Sequence, residues 1–169
     1  MKVFNIVFIL FFLGGKVSTQ TYEFKPSKKD TINYCNNKGE RKGKWILMGR
    51  HKPKTCYSNN QVVETGNYER NMKQGIWEEY SCNNLLKSKQ VYVNGKVNGE
   101  VNLYNDNGKM SARGTFNIDH WVNDLELFDD NGRLLYLVNF DANGNRKQGT
   151  YYCYSKTKKD SNVIYRAIP

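Results

Sequence analysis

The chain has 169 residues, with 26 Lys or Arg and 16 Asp or Glu, and a formal net charge of +10 at pH 7. This length suffices for one domain with a core of moderate size and leaves no room for several large domains. The cysteines form no CxxC spacing and only two histidines are present, which argues against a zinc site.

Residues 1–19 have the pattern of a secretory signal peptide. Lys2 precedes an apolar run from Val3 to Leu13, and small and polar residues follow up to Gln20. The run is too short to span a bilayer, so we expect cleavage just before Gln20. The predicted location is secreted or periplasmic, or elsewhere in the cell envelope; the alternative is an uncleaved anchor.

Export would allow the four cysteines to form lasting disulfides. Cys35, Cys56, Cys82 and Cys153 permit three full pairings, and Cys153 lies far along the chain from the other three. We predict that Cys56 pairs with either Cys35 or Cys82, which leaves Cys153 and one further cysteine outside this bond.

Positive charge is concentrated in the predicted lead-in, residues 20–42, and just beyond it. Ten basic residues between Lys25 and Lys54 face only Asp30 and Glu40, whereas 14 basic and 13 acidic residues nearly balance from Thr55 onward. Such a segment can attract an anionic surface. The candidate binding residues are Lys38, Arg41, Lys42, Lys44, Arg50, Lys52 and Lys54; the alternative is a solvated face without a partner.

A regular spacing of aromatic residues defines a repeat domain over residues 43–154. Tyr80, Tyr104 and Phe128 are separated by 24 residues, and so are Tyr68, Tyr92, Phe116 and Phe140. Asn-Gly steps occur at 94–95, 98–99, 107–108, 131–132 and 143–144, and this dipeptide favours type I′ hairpin turns. The prediction is an all-β fold of tandem antiparallel β-hairpin repeats of about 24 residues, forming an elongated, twisted, single-layer sheet.

Each repeat is expected to contain two strands and two turns and to open with glycine. Asn123 and His51 stand at positions where the repeat would place that glycine. The first unit carries an insertion from Gly49 to Cys56 before a turn at Asn59–Asn60, and residues 155–169 are predicted to be a polar tail. The predicted structural residues are Trp45, Tyr68, Trp77, Tyr80, Tyr92, Tyr104, Phe116, Phe128 and Phe140 for packing, and Gly75, Gly95, Gly99, Gly108, Gly132 and Gly144 for turns.

These motifs resemble the MORN-repeat variant family, many bacterial members of which carry the label YwqK-type antitoxin. The resemblance spans roughly residues 43–154 and is clearest where Tyr92-Val-Asn-Gly-Lys leads into Gly99-Glu and Tyr104-Asn-Asp-Asn-Gly-Lys. It implies an elongated array of antiparallel hairpins that binds partners, including proteins and, in some relatives, membrane lipids. Here it would be an exported member of that family.

No catalytic or metal-binding constellation is evident in the sequence. Asp119, Asp124, Glu126, Asp129 and Asp130 form the one acidic cluster, and Asp129-Asp130-Asn131-Gly132 only partly resembles a calcium loop. His51 and His120 lack a neighbouring nucleophile motif. We therefore predict a non-catalytic interaction module without a cofactor.

The expected partner of this module is an unidentified protein, with an anionic membrane or glycan as further options and nucleic acid not expected. The alternative function is an envelope polysaccharide-active enzyme or a carbohydrate-binding accessory. That alternative would use exposed aromatic rings and a carboxylate pair drawn from residues 119–130.

Overall fold

The computed structural model describes residues 32–52, 55–154 and 163–168 of the chain. One antiparallel sheet of 11 strands accounts for nearly all of them, and each strand pairs with its neighbours in the chain. The strands are β1 (Tyr34–Cys35), β2 (Arg41–Met48), β3 (Val62–Glu69), β4 (Met72–Tyr80), β5 (Leu86–Val93), β6 (Lys96–Tyr104), β7 (Met110–Asn117), β8 (His120–Phe128), β9 (Leu134–Phe140), β10 (Arg146–Tyr154) and β11 (Val163–Ile168). A 3-10 helix, Gly49–His51, follows β2. The prediction of an all-β, single-layer array of hairpins is confirmed.

The sheet extends past the predicted repeat domain at both of its ends. β1 and the first two residues of β2 belong to segment 20–42, which was expected to be a lead-in. β11 lies within 155–169, so residues 163–168 of the predicted polar tail form a strand. The run Val-Ile-Tyr favours a strand, and pairing with β10 gives its backbone hydrogen-bond partners. The predicted signal peptide lies outside the described residues.

The order of the strands places the turns on two opposite rims of the sheet. The first rim carries turns 36–40, 70–71, 94–95, 118–119 and 141–145, and the second rim carries segments 49–61, 81–85, 105–109 and 129–133. Arg70–Asn71 and Asn94–Gly95 are two-residue turns with positive φ at both residues, 49° and 66° in the former and 51° and 81° in the latter. Type I′ geometry, predicted for Asn94–Gly95, is therefore confirmed there.

A second kind of turn replaces the predicted type I′ turn at the other Asn-Gly steps of the rims. Asp129 Oδ1 accepts hydrogen bonds from the N–H groups of Asn131 and Arg133, and Gly132 N–H donates to the Asp129 carbonyl. Gly132 has a φ of 80°, while Asn131 is not left-handed. The same pattern recurs at 105–109 and 141–145. The type I′ prediction is wrong at these turns because a side chain at the first position stabilises a different turn.

Residues with a left-handed backbone conformation lie inside the strands at the position that opens each repeat. Gly43, Gly75 and Gly99 have φ values of 72°, 70° and 130°, and Asn123 has a φ of 60°. The ladders shift register beside Gly75, Gly99 and Asn123. Asn is the residue that replaces glycine at positive φ at least cost, so Asn123 preserves the bulge. The Asn98–Gly99 step accordingly lies inside β6 and forms no turn.

Most of the buried apolar side chains form a stripe on one face of the sheet. Residues that oppose each other across successive ladders share a face, and one such row runs through Trp77, Gln90, Val101, Gly114, Leu125, Val138 and Gly149. Trp77, Val101, Leu125 and Val138 in this row are buried. We call this side of the sheet the core face and the other side the polar face. A ladder that includes Glu78, Lys89, Asn102, Arg113 and Glu126 crosses the polar face.

The two aromatic series lie on opposite faces. Tyr68 and Tyr92 contact Trp77 on the core face. Tyr104 follows Leu103, which opposes Ala112 on the core face, and therefore points to the polar face. Tyr80 also lies there, since its hydroxyl donates to Glu78. The recurring aromatics thus serve two surfaces.

Candidate functional site

The predicted basic residues fall into two separate groups. Lys38 lies in the turn before β2, and Arg41, Lys42 and Lys44 lie in the first half of that strand, all near the first rim. Arg50 and Lys52 follow β2 at the second rim, and β2 spans roughly 24 Å. Lys54 lies outside the described residues. The described candidate residues therefore do not form a single surface, because an extended strand carries neighbours in sequence to opposite rims.

The side chain of Arg41 packs against aromatic rings on the core face. Its guanidinium carbon lies 4.2 Å from the centre of the Tyr68 ring and 5.7 Å from that of Trp45. Its Nη1 donates to the Tyr68 hydroxyl at 3.1 Å, and its backbone N–H donates to Asn71 Oδ1 at 2.8 Å. A cation stacked on a ring in this way stabilises the fold and is a poor candidate for docking a partner.

Arg70 joins the remaining cations of the first rim. The turn that contains it is fastened to β2, because Asn71 N–H donates to the Arg41 carbonyl at 3.2 Å. Lys38, Lys42, Lys44 and Arg70 are all exposed. We call these four residues the rim patch. The sequence interpretation missed Arg70. In the first predicted unit, one strand begins near Gly43 and the second ends at Tyr68, and pairing of these two strands would have placed Arg70 at this rim.

Acidic groups only partly neutralise the rim patch. Glu40 is half-buried and accepts a hydrogen bond of 2.7 Å from Asn36 Nδ2, while Glu69 is exposed at the end of β3. Four exposed cations therefore face one exposed carboxylate and one that is partly shielded. The patch stays positive at neutral pH and can attract an anionic surface over about 8–10 Å at physiological salt.

The aromatic rings of the core face pack edge to face. The ring centres of Trp45 and Tyr68 are 5.4 Å apart, those of Tyr68 and Trp77 are 4.9 Å apart, and those of Trp77 and Tyr92 are 6.4 Å apart. The angles between the planes are 79°, 76° and 69°. A platform for sugar rings would need several rings in one plane, so these four residues are better explained as packing, as expected.

An ion pair sits among these rings. Lys73 Nζ lies 4.2 Å from the centre of the Trp77 ring and 5.0 Å from that of Tyr92, and it also contacts Glu64 Oε1. Burial raises the pKa of Tyr92, and the nearby carboxylate of Glu64 raises it further. Cation, carboxylate and rings therefore satisfy one another within the fold.

The acidic residues predicted as an alternative catalytic pair are spread along β8 and the turns at its two ends. Asp119 and Asp129 flank opposite ends of β8 and are roughly 30 Å apart along the strand. Asp124 accepts a hydrogen bond of 2.7 Å from Asn139 Nδ2, and Glu126 accepts one of 2.7 Å from Arg113 Nε. A glycosidase needs two carboxyl groups within about 10 Å across a cleft. Asp119 and Asp129 cannot form such a pair.

The loop 129–132 uses its carboxylate for turn formation. Asp129 Oδ1 accepts the two backbone hydrogen bonds of the turn, and Oδ2 accepts one of 2.7 Å from Arg133 Nε. The backbone hydrogen bond from Arg133 is the main cause that lowers the pKa of Asp129. Within the described ranges, no three His, Cys, Asp or Glu side chains lie close enough to hold a metal ion.

Both histidines hold backbone structure. His51 Nδ1 accepts a hydrogen bond of 3.1 Å from Met48 N–H, and burial, together with the charge of Arg50, lowers its pKa. His120 contacts Asp119 Oδ1 at 2.6 Å through Nδ1 and the Ala142 carbonyl at 3.2 Å through Nε2. Those hydrogen bonds raise the pKa of His120, with the contact to Asp119 as the main cause. Neither imidazole is placed as a general base.

A disulfide joins Cys56 to Cys82, with their Cα atoms 5.7 Å apart. This is one of the two pairings that the sequence left open. The bond fastens the inserted segment of the first unit to the turn between β4 and β5. Tyr57 and Gln61 strengthen the attachment: the Tyr57 hydroxyl donates to the Tyr80 carbonyl at 3.0 Å, and Gln61 Nε2 donates to the Ser81 carbonyl at 2.7 Å.

The comparisons with known proteins give no assignment. No protein-family model matches the chain, and no match was found among curated proteins or solved structures. The described part of the chain also contains no helix that is long and apolar enough to cross a membrane. Function must therefore be inferred from the geometry of this sheet.

Proposed function

We propose that this chain is an exported, non-catalytic repeat protein that acts as an interaction module. In this proposal the rim patch docks the sheet onto an acidic surface of a protein partner in the cell envelope or outside the cell. The observation that supports it best is the gathering of four exposed cations from three segments of the chain at one corner of the sheet.

The state of the other charged groups supports this choice. Arg41 and Lys73 stack on aromatic rings, Arg113 pairs with Glu126, and Arg133 pairs with Asp129. Lys38, Lys42, Lys44 and Arg70 instead project into solvent. Exposed charges of one sign accelerate encounter with an oppositely charged partner and select against like-charged ones. The patch would therefore act mainly on the rate of association and on its salt dependence.

Family membership is part of the proposal. The 24-residue spacing and the opening glycines resemble MORN-repeat variants, and an antiparallel hairpin array is what that resemblance implies. Export depends on the pattern of residues 1–19. The described geometry gives the polysaccharide-active alternative less support. The rings of Trp45, Tyr68, Trp77 and Tyr92 pack edge to face and Asp119 lies far from Asp129, although Tyr136 and Tyr151 stack with their ring centres 4.3 Å apart.

The experiment is affinity capture from an envelope extract, with the chain purified after export as bait and proteins identified by mass spectrometry. One variant reverses the rim patch by substituting Lys38, Lys42, Lys44 and Arg70 with Glu. A matched control reverses Lys87, Lys96, Lys109 and Lys147, which are exposed on three other strands and in the turn 105–109 and carry the same total charge. Both baits are used at low and at moderate salt.

We expect the wild-type chain and the control to capture the same dominant protein, and the patch variant to lose at least about tenfold of it, since four charge reversals in one patch remove several kcal/mol of attraction at low salt. Equal loss in both variants would show that only net charge matters, which contradicts a docking patch. Recovery of lipid or glycan without a protein would replace the proposed partner class. Release of new reducing ends from an envelope glycan would contradict the non-catalytic assignment.

A further inference from the structure

The two edges of the sheet differ in how their backbone groups are satisfied. At the first edge, β1 pairs Tyr34 with Lys42 and Cys35 with Arg41. The chain before β1 continues the cover, because Asn33 N–H donates to the Lys44 carbonyl at 2.9 Å. Sheet edges with unpaired N–H and C=O groups are sites where another strand can add. This edge is closed although β1 is only two residues long.

Asn33 imitates a strand with its side chain. Its Oδ1 accepts a hydrogen bond of 2.7 Å from Ile46 N–H, and its Nδ2 donates to the Ile46 carbonyl at 3.0 Å. The residue is left-handed, with a φ of 55°, and only 5% exposed. The primary amide thus presents the same donor and acceptor that a paired backbone would present to Ile46.

His51 closes the end of the same edge, because its Nδ1 accepts from Met48 N–H. The even-numbered residues of β2 from Lys42 to Met48 therefore all have a partner on the outer side. A second molecule would therefore find each of these four positions already engaged by at least one partner. Asn33, which precedes β2 in the chain, and His51, which follows it, thus protect this edge against addition of another strand.

β11 has no such cover in the part of the chain that the structure describes. It pairs only with β10, from Gly149 opposite Ile168 to Tyr154 opposite Val163. Its sequence is Val-Ile-Tyr-Arg-Ala-Ile, with no Pro or Gly and a single charged residue. Such a strand readily adds another strand.

Alternation of the ladders identifies the outward N–H groups of β11. The backbone N–H and C=O groups of the even-numbered residues of β2 point away from β3. When this alternation is followed through each ladder in turn, the corresponding groups of Gly149, Tyr151 and Cys153 in β10 point toward β11. Their opposite residues are Ile168, Arg166 and Ile164. The N–H and C=O groups of Val163, Tyr165 and Ala167 therefore lie on the open edge.

We propose that β11 pairs in antiparallel orientation with β11 of a second copy of this chain. A two-fold axis at Tyr165 places Val163 opposite Ala167 of the other copy, and three outward residues of each strand then form a self-complementary ladder. The joined sheet ends on both sides at the short strand β1, beside which the outer positions of β2 are already engaged. Assembly therefore stops at a dimer and does not continue into a filament. This inference does not depend on the rim patch or on the proposed partner.

The test is sedimentation velocity on the exported chain over a range of concentrations. Tyr165→Pro removes one outward N–H and no bond to β10, and proline is tolerated at that kind of edge position. Tyr165→Ala is the matched control, because it removes the same side chain and keeps the N–H. Ala167→Pro repeats the block at a second outward N–H in case the first substitution weakens β11.

We expect wild type and Tyr165→Ala to sediment with twice the mass of the two proline variants, with equal β-sheet signal in far-UV circular dichroism. A wild-type chain that is monomeric at every concentration would overturn the proposal. Dimers of equal strength in both proline variants would also overturn it, because the contact would then lie elsewhere. Species that grow steadily larger with concentration would contradict the closed β2 edge.

Discussion

The contact between Gly66 and Trp77 provides a direct test of how this single-layer sheet is held together. Gly66 lies on β3, and the indole of Trp77 from β4 covers it on the core face. A Cβ at position 66 would come within 2.6 Å of Trp77 Cγ and closer still to the six-membered ring. Trp77 itself is 4% exposed, and its Nε1 donates to the Asn67 carbonyl at 3.0 Å. The ring therefore needs a residue without a side chain beneath it.

The expected energies follow from these contacts. Trp77→Ala removes a buried indole, its hydrogen bond and its edge contacts with Tyr68 and Tyr92, and should reduce the free energy of unfolding by about 3–5 kcal/mol. Gly66→Ala overpacks the site and should cost about 1–3 kcal/mol. In the double variant the added methyl fills space that the indole has left. The cost of the double variant should then be smaller than the sum of the two single costs by about 1–3 kcal/mol.

The assay is urea unfolding of wild type, both single variants and the double variant, followed by far-UV circular dichroism. Repeat arrays can unfold in parts, so the m-values must agree before the free energies are compared. Gly114→Ala serves as the control, because its Cβ would lie 3.1 Å from Trp121 and Leu125, where a small shift relieves the contact. Additive costs in the cycle, or a larger cost for Gly114→Ala than for Gly66→Ala, would refute the account.

Three further outcomes follow from the structure. Replacing Cys56 and Cys82 by Ser should reduce the free energy of unfolding by about 3.5 kcal/mol for a loop of 26 residues, which urea unfolding measures against the disulfide-bonded wild type. NMR titration should give His120 a pKa above 6.5 and His51 a pKa below 6.5; the reverse order would contradict both hydrogen-bond assignments. Asn123→Val should cost about 1–2 kcal/mol because of its left-handed backbone, whereas Asn123→Gly should be nearly neutral.

The signs of the two histidine contributions are opposite. A raised pKa for His120 means that its contacts with Asp119 and Ala142 contribute stability below pH 6.5, and that this contribution is lost as pH rises through the folded-state value. A lowered pKa for His51 means that its contribution is complete above pH 6.5 and is lost as pH falls. Unfolding measured as a function of pH in each single His→Ala variant separates the two.

The repeat spacing was enough to predict the class of fold but not the face on which each aromatic lies. Tyr80 and Tyr92 are separated by an even number of residues and would share a face on a continuous strand. The turn 81–85 and the register shift that sets Tyr80 opposite Leu86 place them on opposite faces. Turn length and bulges decide that parity, and they depend on side-chain hydrogen bonds such as the one from Leu85 N–H to Ser81 Oγ. Spacing alone does not contain this information.

The candidate site was predicted only in part for a related reason. Proximity in sequence suggested one basic segment, but β2 carries Lys44 and Arg50 toward different rims. Arg70 reaches the patch only through pairing of β3 with β2, in which Gly43 stands opposite Tyr68. Arg41 and Lys42 are adjacent and identical in charge, yet the pleat turns Arg41 onto the Tyr68 ring and leaves Lys42 in solvent. Which cation is available for a partner is therefore decided by strand geometry.

Protonation of His51 would change how the outer edge of β2 is covered. His51 can accept from Met48 N–H only while Nδ1 carries no proton, and burial together with Arg50 keeps the imidazole neutral by lowering its pKa. At neutral pH the edge is therefore complete, with Asn33 and His51 covering successive positions of β2. Acidification through the pKa of His51 would remove the last of these covers while the amide of Asn33, which does not titrate, stays in place. Strand addition at low pH would then have only the end of β2 to use, which is too short for a stable ladder.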